Sequence, residues 1–236
     1  MTKLPKEFLK WNYYSRRKLL EELLEGEISA GPKLFLEFTR HTPVLCTAAV
    51  NNQGEIEVNG KVVGVGYVLK REYLNDAIRE FKKHVSASDE VYRKVKNDPA
   101  QVRSLREKHA MKGVKLLLKY IYLEELEAEK RVDFEKLTTI EMAKRLPHSS
   151  KHTWNILQRS RKACLVFYQP PAISYELRGY ITIHTNDEYH EFVNLVHDAY
   201  HYTPPEKRSD RPVYLFHVDE VYDNSATQAG FGRKIG

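Results

Sequence analysis

The sequence predicts an α+β chain. Helices stand at the N-terminus, a small antiparallel β-hairpin region follows, and the C-terminal half carries two short helices that lead into a second β-hairpin. Three observations predict this. Apolar residues recur at helical spacing in several long stretches. Between them lie short runs rich in Val, Ile and aromatic residues, bounded by Gly, Pro and Asn. A basic helical stretch near Lys151–Lys162 then runs straight into the β-forming segment Cys164–Tyr168. The chain divides on this reading into residues 1–97, 98–186 and 187–236.

The first helix is expected over Pro5–Glu25, where Phe8, Trp11, Leu19, Leu20, Leu23 and Leu24 make an apolar stripe and Gly26 ends it. Lys33–Phe38 and Val44–Val50 read as strands. Ile56–Val63 reads as a hairpin closed by Asn59-Gly60. Gly60, Gly64 and Gly66 match neither phosphate-binding glycine pattern, so they are assigned to turns and strands. Tyr73–Val85 is a helix with Leu74, Ala77, Ile78 and Phe81 inward, and Ser86–Asp89 is a polar break. Asp98-Pro99 starts another helix, with aspartate capping and proline in the first turn; helices continue to about Lys130. Asp187–Tyr202 is helical, Val213–Val218 is a strand, and Asn224–Gly236 is expected to be a loose tail.

The stretch from Asp133 to Ile183 carries the functional expectation. Thr139–Leu146 reads as a helix in which Ile140, Ala143 and Leu146 share a face and Pro147 ends the ladder. A second helix follows, capped by Ser149 or Ser150. At about 100° per residue, Thr153, Ile156, Leu157 and Ser160 fall on its inner face. Lys151, Asn155, Gln158, Arg159 and Lys162 fall on the outer face. Arg and Lys suit guanine and phosphate, and Asn and Gln suit adenine. Cys164–Tyr168 and Tyr175–Ile183 pair as a hairpin. The residues Leu137-Thr138, Ala143–Leu146, Ser149, Thr153-Trp154, Leu157 and Ala163–Val166 resemble the winged helix-turn-helix superfamily of DNA-binding domains, over roughly residues 110–185. The resemblance implies that the second helix enters a DNA major groove. The expected DNA-binding residues are Ser149, Lys151, Asn155, Gln158, Arg159, Lys162 and Arg178.

Charge points the same way. Thr138–Tyr180 holds seven basic residues against two acidic ones, an excess of five in a chain whose net charge is +6. A basic concentration of this kind is the footprint expected of phosphate binding. The expected partner is double-stranded DNA, the expected role transcriptional regulation, and the expected assembly a homodimer on paired half-sites. Two alternatives stand beside it: a replication or DNA-processing protein with a metal site, and a structural module that keeps the fold without DNA. No apolar run is long enough to span a bilayer and the first residues lack a signal-peptide core, so a cytoplasmic protein is expected, in the host cytoplasm if the chain is viral. Abundant charge, 15 tyrosines and scarce glutamine lean towards a thermophile, archaeal or viral.

Little in the sequence suggests catalysis. Cys46 and Cys164 form no Cys-x-x-Cys and read as small buried hydrophobes, with a bridge between them left open. His190, His197 and His201 share a helical stripe, and the last two have the spacing of a shared metal. No His-Glu-x-x-His is present, and His190 lies about 10 Å along the axis from His197. No metal, no other cofactor and no catalytic residue is therefore expected, and a metal-dependent nucleic-acid enzyme is the minority reading.

Overall fold

A computed structural model describes residues 1–27, 31–142, 151–208 and 211–236. Its centre is an antiparallel sheet. The strands are β1 (Val44–Val50), β2 (Ile56–Val62), β3 (Lys136–Ile140), β4 (Lys162–Gln169), β5 (Ile173–His184), β6 (Val213–Asp223) and β7 (Arg233–Lys234). Their order is β2-β1-β4-β5-β6-β3, and β7 pairs with β6. Leu45, Leu165, Leu177, Ile181 and Phe216 are buried on one side of it. Alternation along each strand turns Cys46, Cys164 and Arg178 to the other side.

The helices pack around this sheet. The N-terminal segment is a continuous rod: α1 (Lys6–Leu9), a π turn (Lys10–Tyr14) and α2 (Ser15–Glu25). It plugs one end of the core, where Phe8 meets Phe167 and Tyr175 edge-on at 5.2 and 5.3 Å. Gly26 ends it with φ at 75°, a left-handed cap that costs glycine nothing. Then come α3 (Pro32–Thr39), α4 (Arg71–Val95), α5 (Pro99–Tyr120), α6 (Glu125–Arg131), α7 (His152–Arg159) and α8 (Glu188–Tyr200). Helices α4, α5 and α8 pack on one another, and α8 lies against β3 and β6. Asp98 caps α5 by accepting from the Ala100 and Gln101 amides, and Asp187 caps α8 through the His190 amide.

This architecture corrects the expected winged helix. Thr138, Thr139 and Ile140, read as the start of a helix, lie in β3 and pair with Leu215, Tyr214 and Val213 of β6. Ala143–Leu146 and Ser149 lie outside the described residues. The expected wing is a hairpin, β4–β5, but it sits inside the sheet: β4 also pairs with β1, and β5 with β6. The reading failed at Thr139 and Ile140, the start of the expected helix, which are extended because β6 pairs beside them.

Smaller corrections have local causes. Lys33–Phe38, expected as a strand, belongs to helix α3, which Pro32 opens at its first position after an extended Gly31. Asn59-Gly60 is not a turn but mid-strand in β2, opposite Thr47 and Cys46. The hairpin closes instead at Asn51–Glu55, where the Asn51 side chain accepts from the Gln53 and Glu55 amides. Ser86–Asp89 lies within α4, because Ser88 and Asp89 are buried with partners of their own. The tail is tied down: the Gly236 carbonyl accepts from the Val221 amide, and Ile235 donates to the Val221 carbonyl.

Candidate ligand-binding cavity

The expected DNA-reading residues do not form a presented helix face. Helix α7 has only eight residues and turns Thr153, Ile156 and Leu157 into the protein, against β1 and β2. Those three inward positions agree with the helical wheel; their partner is a sheet rather than another helix. Asn59 donates to Thr153 Oγ1 at 2.8 Å, which fastens α7 to β2. Lys151 stands at the helix start, Asn155 is engaged within the molecule, and Gln158 donates to the Trp154 carbonyl. Arg159 is paired with Glu57 and donates to the Val50 carbonyl. Lys162 and Arg178 are strand residues, on β4 and β5, facing Asp219 and Glu176. With three of these cations matched by carboxylates and Thr139-Ile140 in a strand instead of the first helix of a pair, double-stranded DNA as partner, transcriptional regulation, and a homodimer on paired half-sites lose their basis.

A different constellation appears between α2, the end of α5, β3 and α8. These elements enclose a cavity of about 350 Å³. Leu117, Ile121, Ile140, Phe192, Val193 and Val196 supply apolar wall, and Gly64 and Gly66 keep one side free of side chains. Polar groups enter at a few points: Arg16 from α2, Thr138 and Thr139 from β3, and His197 and His201 from α8.

Arg16 is the fixed charge of this cavity. Its guanidinium lies 5.2 Å from the centroid of the Phe38 ring. Its Nε and Nη1 atoms are buried and have no hydrogen-bond partner, and neither does Thr138 Oγ1. A buried donor left unsatisfied costs about 1–3 kcal/mol, more if charged. Beside Arg16, burial pushes two imidazoles, His201 and His41, towards the neutral form. Burial pushes the pKa of His201 down, and the charges of His197 and Arg16 push it further. Fully buried His41 is lowered well below its ordinary value by burial, then by Arg16 and Arg40.

The rim is braced by buried ion pairs. Asp198 of α8 accepts from Arg211 Nη2 at 2.7 Å, and both residues are almost fully buried. Arg211 also donates to Asn194 Oδ1 at 2.8 Å. Burial pushes the Asp198 carboxyl up, but the neighbouring His197 and Arg211 outweigh it and the net shift is downward. His197 Nδ1 sits 2.9 Å from Arg211 Nη1 and 3.1 Å from Asp198 Oδ1, which fixes its ring at the cavity wall. His190 is at the start of α8, and His201 packs beside His197 with ring centroids 5.2 Å apart. Among the described residues, no cluster of three or more His, Cys, Asp or Glu side chains has the placement of a metal site.

Sequence reasoning did not find this cavity. Thr138 stands just before the expected helix Thr139–Leu146, and Arg16 lies within the expected first helix with no role of its own. No spacing rule joins residues 16, 66, 138 and 197. Only the pairing of β3 with β6, under α8, brings them together.

No protein-family profile and no curated protein matches the chain. Solved structures give loose likenesses. HupZ of Group A Streptococcus is 11% identical with a TM-score of 0.39, over 87% of this chain and 99% of that one. An F420 reductase is 13% identical with a TM-score of 0.34, over 82% of this chain and 98% of that one. A candidate pyridoxamine 5'-phosphate oxidase from Listeria innocua is 11% identical with a TM-score of 0.37, over 81% of this chain and 95% of that one. At these TM-scores the likeness carries no argument about function. Among the described residues, no helix is long and apolar enough to cross a membrane.

Proposed function

We propose that the chain binds a small molecule with an apolar body and an anionic group, a carboxylate or a phosphate, in the cavity between α2, β3 and α8. The observation that carries this reading is the Arg16 guanidinium, whose two buried N–H groups at Nε and Nη1 have no partner in the protein. A guanidinium carries the planar donor fork that recognises carboxylates and phosphates, and this one lines the cavity. The volume lies within the range of small-molecule sites, and the wall is mainly apolar with few polar groups, as such sites require. The apolar wall takes the ligand body, and the Thr138 hydroxyl adds a third polar contact.

The test is calorimetric titration with a panel of small acids: benzoate, phenyl phosphate and octanoate. At least one is expected to bind saturably. Arg16→Gln is expected to weaken it by tenfold or more, since a hydrogen bond to a charged group contributes about 1.5–3 kcal/mol. Arg16→Lys keeps the charge but not the fork, and falls between. Binding that is indifferent to both substitutions, or no binding by any of the three acids at millimolar concentration, refutes the reading.

A further inference from the structure

Strands β1 and β4 lie side by side and antiparallel, with Cys46 directly opposite Cys164. The same cross-strand row runs on to Gly60 of β2 and Arg178 of β5. Both cysteines are free thiols, partly exposed, and both line an open groove of about 1010 Å³ on the outward side of the sheet. Directly opposed residues of antiparallel strands have Cα atoms about 4.5–5.5 Å apart. A disulfide requires about 4.4–6.8 Å between Cα atoms. Neither strand has to shift register for the two sulfurs to meet. Gly60, next in the row, places no side chain over Cys46.

We propose that Cys46 and Cys164 form a reversible dithiol that closes to a cross-strand disulfide on reaction with a small-molecule disulfide. The Cys46 thiolate attacks one sulfur of that disulfide. The small S–S bond breaks, and the first small thiolate leaves and takes up the proton that Cys46 released. The Cys164 thiolate then attacks the Cys46 sulfur of the mixed disulfide, the second small thiolate leaves, and it takes up the proton from Cys164. Two protein S–H groups are oxidised to one S–S bond, and one small disulfide is reduced to two thiols. A small dithiol runs the sequence backwards.

The order of attack follows from the surroundings. Burial pushes the Cys164 thiol up to about 12, with the Glu176 carboxylate adding to it. Burial and Glu176 also raise Cys46, but less. Cys46 therefore supplies more thiolate and reacts first, and exchange accelerates with pH because only the thiolate attacks.

The experiment uses the full chain with oxidised glutathione at mildly alkaline pH, followed by alkylation and intact-mass measurement. The expected product is a single chain lighter by two hydrogens, with no alkyl label and no glutathione, restored to two alkylatable thiols by dithiothreitol. In Cys164→Ser the second step is impossible, so one glutathione should stay on Cys46. Wild-type protein that keeps both thiols alkylatable, retains glutathione, or links two chains together overturns the proposal.

Discussion

Thr138 lines the cavity, and its buried hydroxyl oxygen has no hydrogen-bond partner. Thr47, on β1, is buried with the same deficit but away from that cavity. The two residues separate a cost of folding from a contribution to binding. Valine has nearly the shape of threonine and asks for no hydrogen bond. Thr47→Val and Thr138→Val should each stabilise the chain by about 1 kcal/mol, because each removes an unpaired buried polar atom. Only Thr138→Val should weaken the acid that binds beside Arg16. Urea unfolding and titration of the same two variants check this. Equal affinities in the two variants would leave the Thr138 hydroxyl with no part in binding.

Helices α5 and α8 approach closely at Gly113. A Cβ there would stand 2.0 Å from the Ala199 carbonyl oxygen, part of the α8 backbone. In an open helix, Gly→Ala raises stability by roughly 0.5–1 kcal/mol. Here the added carbon meets main chain, which cannot turn aside as a side chain can. Gly113→Ala should therefore destabilise by about 1–3 kcal/mol, the usual cost of overpacking. Because α8 carries His197 and the wall residue Phe192, the same change should also weaken cavity binding. An unfolding midpoint at or above that of the wild type would show that α8 shifts without cost.

Elements whose ends are written in local chemistry were legible in the sequence. Asp98-Pro99, Asp187 and Gly26 mark helix ends by caps that act within one turn. Elements defined by partners were not. Leu137–Ile140 is a strand because β6 lies beside it, and Asn59-Gly60 stays extended because β1 does. The polar Ser88 and Asp89 remain helical because His109 and Arg208 meet them from 21 and 119 residues away. The cavity belongs to this second kind. Arg16 and Thr138 each have an ordinary local role, and the missing hydrogen bonds that set them apart exist only after folding.

Across the whole molecule, acid should act in two stages with different origins. His109 is buried between α4, α5 and α8; its Nε2 faces the Asp198 carbonyl at 2.7 Å, and its Nδ1 faces Ser88 Oγ at 2.7 Å. The neutral ring meets both, donating to the carbonyl and accepting from the serine hydroxyl. Burial holds its pKa down to about 4, and burial together with the Lys136 charge holds His217 at about 4 as well. In the unfolded chain both return to about 6.5. Between these limits the unfolded state binds more protons, so stability falls as pH drops from about 6.5 to about 4, and the two histidines add nothing further below that. Each costs on the order of 3 kcal/mol of stability across this window. Asp198 belongs to the second stage. Its carboxyl is depressed, so its pairing with Arg211 holds above the ordinary carboxylate range and is lost only as pH falls through its folded value. Urea midpoints followed from neutral to acid pH should therefore decline well before carboxylates titrate. His109→Gln can keep both hydrogen bonds but cannot take up a proton. It should remove part of the first decline, which His217, His41, His84 and His201 share, and leave the second intact. A decline of unchanged size in that variant would place its origin in groups other than His109.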